Sequence, residues 1–168
     1  QEGADANQFN NAFFSTTADG IDGILQMLLW DKNGGNNRLL NITAPASIAG
    51  AYETGVPVNN ANNIEWPWST EITEVNPTTA PLSEINDGIY APYPTDGCEN
   101  YLSSVDVDGK IVIVDRGGCD FSTKALIAQQ NGAVACLICN FADEIINITP
   151  GADGNEVTIP VLFISAGT

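Results

Sequence analysis

The sequence predicts a mixed α/β domain, and the observations that predict it lie in its second half. Residues 110–114, Lys-Ile-Val-Ile-Val, contain a run of β-branched residues, which is typical of a strand covered on both faces. A helix-length segment follows, and the apolar run 133–139 then predicts a second strand, parallel to the first through a right-handed crossover. Residues 158–165 predict a third strand, and residues 142–156 predict an exposed acidic loop containing a short helical turn.

Two further strands are expected near the beginning of the chain. Residues 24–30 have the length and apolar density of a buried strand, and residues 38–45 return as its partner. Gly and Asn between them tolerate the left-handed backbone of a tight reversal. Residues 44–97 hold seven of the nine prolines, which suit edges and loops, so we expect short strands and long loops there. Residues 69–75 alternate well enough to form one of those strands.

The helix between the first two parallel strands is expected over residues 123–130. Ser122 is the candidate N-cap, because its hydroxyl can accept from amides left free in the first turn. Asn131 and Gly132 supply a left-handed exit. The residues expected to face the sheet are Leu126, Ile127 and Ala128.

Charge and length restrict the classes of function. With 21 acidic and 5 basic side chains and a net charge of −16, the chain repels phosphate backbones, so nucleic acid is not an expected partner. No apolar run approaches the roughly 20 residues that cross a bilayer, so no membrane span is expected. The polar surface comes mainly from Asn, Thr, Ser and Gly, which suits a secreted protein. Because the chain starts at Gln1 without a basic or leucine-rich leader, we expect a processed or excised piece of a longer precursor.

Four cysteines in such a chain indicate disulfides, with three possible pairings. Cys136 and Cys139 point to opposite faces of an expected strand, with Cα atoms about 10 Å apart, so they should not pair with each other. Cys98 and Cys119, each after a glycine-containing turn, are the expected bridge. A cysteine nucleophile needs a base, and the chain has no histidine. A zinc site built on Cys136 and Cys139 lacks two ligands.

The glycine pair at 117–118 lies where a strand is expected to meet the helix. Free amides at such a bend can hold an anion, but residues 115–123 lack the sequence of a phosphate loop or a dinucleotide site. Asp115 and Asp120 would also repel a phosphate. A turn that needs glycine for its backbone angles is therefore the favoured interpretation.

Calcium is the one cofactor for which the sequence offers candidate ligands. Residues 106–109, Asp-Val-Asp-Gly, resemble the start of a calcium loop, but Lys110 occupies the next ligand position, so a helix-loop-helix site is excluded. An irregular calcium site is an alternative to no cofactor at all, with candidate ligands Asp106, Asp108, Asp153 and Glu156. The sequence also offers glycosylation sequons at Asn41 and Asn147.

Three stretches together resemble the protease-associated domain family. They are DGCENY at 96–101, GKIVIVDRGGCDFSTKALIAQQNGAVACLICNF at 109–141 and TIPVLFIS at 158–165. The resemblance covers residues 45–168 and implies a swivelling β/β/α fold, an open β-barrel or sandwich flanked by one or two short helices. It also implies a bridge between Cys98 and Cys119, and a domain that is not itself a catalyst but binds proteins or peptides or gates access to a neighbouring catalytic domain.

Residues 1–44 form an N-terminal extension in this division of the chain. Residues 7–30 resemble the segment of bacterial fungalysin-type zinc metallopeptidases that precedes an inserted protease-associated domain. That family holds its zinc with histidines, which this chain lacks, so the chemistry does not carry over.

The sequence therefore predicts a non-enzymatic accessory domain of a secreted metallopeptidase, with a protein or peptide, or the parent catalytic domain, as partner. Candidate contact residues are Trp66, Trp68, Tyr90 and Tyr93, although such rings are more often part of a core. Because residues 66 and 68 of an extended segment point to opposite sides, we expect one ring buried and the other exposed. The alternative is a structural subunit of an extracellular assembly or filament, self-associating by strand completion between chains.

Overall fold

The computed structural model describes residues 24–29, 38–59, 65–72, 77–88 and 94–168. These residues form a mixed α/β architecture with seven strands, one α-helix and one turn of 3-10 helix at Gly154–Glu156. In chain order the elements are β1 Ile24–Leu29, β2 Arg38–Ile42, β3 Gly50–Thr54, β4 Thr78–Glu84, β5 Ile111–Asp115, α1 Phe121–Gln130, β6 Ala135–Cys139 and β7 Val161–Ile164.

The strands lie in the order β3-β2-β1-β4-β5-β6-β7. The first half is antiparallel, from β3 through β2 and β1 to β4, and the second half, from β4 to β7, is parallel. The parallel pairing of β5 with β6 and the antiparallel pairing of β1 with β2 confirm the sequence prediction. The strands β1 and β2, from the expected N-terminal extension, lie in the same sheet between β3 and β4.

The proline-rich region contains a central strand, β4, that sequence analysis did not predict. Pro81 lies opposite Ile24 at the last pair with β1, and pairing with β5 begins at the next residue, Leu82. The missing donor of Pro81 thus falls where β4 changes partners, which explains a proline inside a sheet. The strand expected over residues 69–75 is wrong in its first part, because residues 69–72 are irregular. Residues 73–76 lie outside the described part of the chain.

A backbone pair joins the two ends of the sheet. Gly55, directly after β3, donates its N–H to the Phe163 carbonyl at 2.8 Å and accepts from the Phe163 N–H at 3.0 Å. Next to it, the Val58 N–H donates to the Ile148 carbonyl at 2.8 Å, and the Ile148 N–H donates to the Val56 carbonyl at 3.0 Å. The sheet therefore curls into a barrel with its seam at Gly55 and Phe163.

Two apolar clusters fill the space on either side of the parallel strands. One lies inside the barrel and takes side chains from both halves of the sheet, among them Leu40, Ala80, Ile111, Leu137 and Leu162. The other lies between the sheet and α1, among them Val112, Val114, Ala125, Ile138 and Phe163. Alternate residues of β5 thus enter different clusters, and the strand is covered on both faces as predicted.

The start of α1 differs from the prediction. The helix begins at Phe121, with Asp120 as an N-cap that makes no side-chain capping bond. Ser122 is fully buried inside the first turn, and its Oγ accepts from the Gly151 N–H at 2.9 Å. The predicted Ser122 cap is therefore wrong, because this hydroxyl holds the loop before β7.

The structure also corrects part of the prediction for the buried face and the end of α1. The face against the sheet carries Lys124, Ala125 and Ala128, whereas Leu126 and Ile127 are only half-buried at its margin. Gly132 supplies the left-handed exit with φ +91°, but Asn131 has φ −90°. Small alanines allow the helix to lie close to the strands, which leaves Leu126 and Ile127 at the margin.

The loop between β6 and β7 contains the expected helical turn, at Gly154–Glu156. Ile148 of this loop is completely buried, so the loop is not exposed throughout as predicted. Among the residues that the structure describes, no helix is long and apolar enough to cross a membrane.

Candidate functional site

The bend between β5 and α1 is tied to the preceding loop by a disulfide. Cys119 is bonded to Cys98, with the two Cα atoms 5.8 Å apart. In the chain-entropy account, a bridge closing a loop of this size stabilises the fold by about 3 kcal/mol. The disulfide joins the turn around Cys98, upstream of β5, to the bend that follows β5.

At the bend, both the backbone φ angle and the space available for a side chain require glycine. Gly118 has φ +76°, a left-handed conformation that side chains disfavour. A Cβ there would lie 2.8 Å from Cys98 Sγ and closer still to the Asp96 carboxylate. The Asp96 carboxylate therefore lies against the bend, and its charge would repel an anion there. This geometry makes the bend a structural brace.

Lys124 lies behind the brace and is fully buried. Its Nζ donates to the Asp96 carbonyl at 2.5 Å and lies 3.2 Å from Cys98 Sγ. Burial lowers the pKa of Lys124, and the nearby carboxylates of Asp96 and Asp87 act in the opposite direction. Sequence analysis gave this lysine no role, because a lysine in a surface helix is ordinarily exposed.

The four candidate calcium ligands are not brought together. Asp106 pairs with Lys110 at 3.2 Å, and Asp153 accepts from Thr123 Oγ1 at 2.6 Å. In the described ranges, the group of carboxylates whose oxygens converge is a different one, Asp87, Asp96 and Glu99. Asp108 and Glu156, like the other two candidates, take no part in it.

A second feature lies at the carboxyl ends of β5 and β6, the edge where open parallel sheets commonly bind ligands. Arg116 follows β5, and its guanidinium carbon lies 5.0 Å from the ring centroid of Phe141 and 6.0 Å from that of Phe163. Its Nη1 donates to Asn140 Oδ1 at 3.1 Å. Phe141 is 78% exposed. We refer to Arg116, Asn140 and Phe141 as the Arg–Phe surface.

The Arg–Phe surface is held rigidly from below. Asn140 Nδ2 donates to the Glu144 carbonyl at 2.8 Å, and Asn140 Oδ1 also accepts from the Phe141 N–H at 2.9 Å. Within the described ranges, Arg116 has no carboxylate at ion-pair distance although the chain is strongly acidic. A guanidinium beside an exposed ring can bind carbonyl or carboxylate groups of a peptide.

The predicted contact aromatics are placed differently. Trp68 is buried in the helix-side cluster, and Trp66 is half-buried against the barrel cluster. The two rings do point to opposite sides, but both pack against apolar residues. Tyr90 and Tyr93 lie outside the described residues. Sequence analysis missed Phe141, whose signal is an aromatic ring two residues beyond a strand and next to acids.

The two sequons lie on ordered backbone. Asn41 is in β2, between β1 and β3, and Asn147 Oδ1 accepts from the Val56 N–H at 3.1 Å. Both side chains are half-buried. Use of either sequon stays a prediction.

Cys136 and Cys139 are free thiols. Burial raises the pKa of Cys136 to about 12, and burial with the charge of Asp115 raises that of half-buried Cys139. Because the thiolate is the reactive form, we expect native protein at pH 8 to show no alkylation of Cys136 by iodoacetamide within an hour, and slow alkylation of Cys139. Peptide mass spectrometry reads both sites, and urea-unfolded protein, in which both should react fully, is the control. Rapid native labelling of Cys136 would contradict this burial.

Comparison with known proteins places the chain among peptidase-associated sequences. Residues 78–168 match the PA domain family. The chain is 31% identical over 165 residues to the probable lipoprotein aminopeptidase LpqL of Mycobacterium tuberculosis, covering 92% of this chain and 31% of that protein. It is 33% identical over 92 residues to the aminopeptidase YwaD of Bacillus subtilis, covering 55% and 18% respectively. The chain thus spans less than a third of either relative.

A solved structure with a similar arrangement is BSAP, a zinc aminopeptidase from Bacillus subtilis, with a TM-score of 0.49 and 23% identity over 87% of this chain and 26% of that one. The resemblance of residues 7–30 to fungalysin-type metallopeptidases is not supported by these matches. Of that stretch the structure describes residues 24–29.

Proposed function

The chain belongs to the PA domain family, and from this we propose that it is the accessory domain of a secreted peptidase, where it binds protein or peptide substrates and positions them for a neighbouring catalytic domain. The relatives named as aminopeptidases carry the matching region as a minor part of a longer chain. The Cys98–Cys119 disulfide is consistent with an oxidising, extracellular location. A chain without histidine has no imidazole base and no histidine ligand for a catalytic zinc, so the catalytic residues are expected in another domain.

The Arg–Phe surface is the observation that carries the recognition role. Aromatic residues and arginine are enriched among the residues that dominate binding at interfaces, and here an exposed ring and a guanidinium lie side by side. Arg116 beside it carries five N–H donors in one plane, of which Nη1 donates to Asn140. Together they can hold the side chain of a peptide against the ring and a carbonyl or carboxylate against the guanidinium.

Peptide titration followed by ¹H–¹⁵N NMR tests this role on the chain itself. With unfolded casein peptides we expect millimolar or tighter binding and shifts centred on Arg116, Asn140 and Phe141. Phe141→Ala and Arg116→Gln should each weaken binding about tenfold, the loss of one central contact of about 1.4 kcal/mol. Leu102→Ala is the matched control, because Leu102 is an exposed apolar residue away from this surface, 42% exposed.

Absence of shifts at millimolar peptide, or shifts that Phe141→Ala leaves unchanged, would remove the Arg–Phe surface as the contact site. The strand-completion alternative predicts self-association instead. Light scattering at high protein concentration separates the two, since the accessory domain is expected to be monomeric.

A further inference from the structure

A group of carboxylates outside the Arg–Phe surface lies between the segment after β4 and the turn that carries Cys98. Asp87, Asp96 and Glu99 each place a carboxylate oxygen within 4.8 Å of those of the other two. Asp87 is 3% exposed and Asp96 is 7% exposed, whereas Glu99 is exposed to solvent. The group is therefore anchored inside the domain and open on one side.

Each buried carboxylate uses one oxygen to hold the turn. Asp87 Oδ2 accepts from the Gly97 N–H at 2.9 Å, and Asp96 Oδ1 accepts from the Cys98 N–H at 3.0 Å. The second oxygen of Asp87, Oδ1, is buried and has no hydrogen-bond partner among the described residues. Buried oxygens are normally paired, so an orphan of this kind points to a bound ion or water.

The charges of the group do not balance by themselves. Lys124 places one ammonium group beside Asp96. Asp87 and Asp96 are two buried carboxyl groups beside that one cation, and Glu99 lies at the solvent edge. Uncompensated buried charge is costly, and one divalent cation would neutralise it.

We propose that Asp87, Asp96 and Glu99 form a binding site for a divalent cation, and that the site prefers calcium to magnesium. Calcium takes six to eight oxygens at about 2.3–2.6 Å in irregular arrangements, so oxygens on opposite sides of the ion lie up to about 5 Å apart. Magnesium requires near-ideal octahedral geometry at about 2.0–2.1 Å, which the looser spacing suits less well. Water completes the shell from the open side at Glu99. The bound ion links the segment after β4 to the disulfide-bonded turn.

A proton shared by Asp87 and Asp96 is the competing occupant. Their oxygens lie within 4.8 Å of each other, so a proton held between them would occupy the oxygens that a cation needs. A shared proton alone predicts no calcium binding.

Isothermal calorimetry on chelator-treated chain tests the site, with calcium chloride and magnesium chloride as the probes. At pH 7.5 and low salt we expect one calcium per chain with a Kd of about 0.1–1 mM, the range of extracellular calcium modules. Magnesium should bind at least about tenfold more weakly. In parallel, calcium should raise the melting temperature of the chain, since it binds the folded state.

Two variants and a matched control separate this site from general acidity. Glu99→Gln, at an exposed position, and Asp96→Asn should each weaken calcium binding at least about tenfold because each removes a charged ligand. Glu156→Gln removes an exposed acid outside the group and should change nothing. If Asp96→Asn does not fold, Glu99→Gln decides. No heat with 10 mM calcium, or equal loss of binding in Glu99→Gln and Glu156→Gln, would overturn the proposal.

Discussion

Replacement of Gly55 by alanine is expected to lower the free energy of unfolding by about 4 kcal/mol. Gly55 forms both hydrogen bonds of the barrel seam with Phe163. A Cβ there would overlap the Ile146 carbonyl oxygen and lie 2.7 Å from its carbonyl carbon and 3.3 Å from Phe163 Cβ. Because the overlapped atoms are backbone, they cannot move aside as a flexible side chain would, so the substitution must displace the Ile146 segment or open the seam between Gly55 and Phe163.

Urea unfolding followed by tryptophan fluorescence measures this loss. Gly50→Ala is the matched control, because Gly50 lies at the other end of β3 and a Cβ there meets only the Tyr52 side chain at 3.5 Å. The control should stay within about 0.5 kcal/mol of the parent chain. If Gly55→Ala lost less than about 1 kcal/mol, the seam would have to tolerate displacement of the Ile146 segment, and the barrel would be less constrained than its backbone pairing indicates.

The predictable part of the fold is the part encoded by local pattern. The strands β5, β6 and β7, and the helix between the first two, follow from unbroken apolar runs separated by a helix-length segment, and local periodicity is a strong signal. The β1–β2 hairpin was predicted for the same reason. In each case the residues that decide the structure are neighbours in sequence.

The missed features depend on residues distant in sequence. Nothing near Pro81 shows that its strand changes partners at that residue, and nothing near Gly55 shows that Phe163 will lie opposite it. Ser122 carries the sequence signal of a cap, but the loop around Gly151 uses its hydroxyl. A residue that can satisfy either a local or a distant partner cannot be assigned from local pattern alone.

The same limit applies to the sites. Two of the four calcium candidates, Asp106 and Asp108, came from a calcium-like stretch, and Asp153 and Glu156 from an acidic loop. Asp87, Asp96 and Glu99 converge because the disulfide-bonded turn folds back on the segment after β4. Sequence analysis overlooked Phe141 because the exposure of its ring depends on how the ends of β5 and β6 lie in space. The residues next to Phe141 in the sequence do not reveal that arrangement. The disulfide between Cys98 and Cys119 was the one long-range side-chain contact that sequence analysis predicted, because cysteines are few and disulfide geometry is restrictive.

The substitution Lys124→Met is expected to lower the free energy of unfolding by about 3 kcal/mol at pH 7 in the presence of a chelator. Methionine fills a similar volume but offers no donor to the Asp96 carbonyl and no charge near Asp87 and Asp96. Removing one member of a buried charge group is costly because the remaining charges stay buried without compensation. Lys110→Met is the matched control. It removes a surface ion pair with Asp106 and should cost about 0.5 kcal/mol or less.

The pH dependence of this loss identifies its electrostatic origin. The folded-state pKa of Asp87 is raised above its unfolded value of 3.8, chiefly by burial. Its ionisation therefore opposes folding as the pH rises through the folded pKa, and removing the Lys124 ammonium increases that opposition. The difference between Lys124→Met and the parent chain should be largest at pH 7 and shrink towards about pH 4, as the pH falls through the raised pKa of folded Asp87 and its carboxyl group loses its charge.

A double-mutant cycle with Asp87→Asn isolates the interaction between the two groups. In the Asp87→Asn background, Lys124→Met should cost about 1 kcal/mol less than in the parent chain, because one of the carboxylates left without a counter-charge is already neutral. Guanidinium unfolding would mask charge effects, so urea at pH 7 and at pH 4 is the appropriate measurement. If the cost of Lys124→Met were the same at both pH values and in both backgrounds, its origin would be lost packing and the hydrogen bond to Asp96, and the charge argument for the cation site would lose its support.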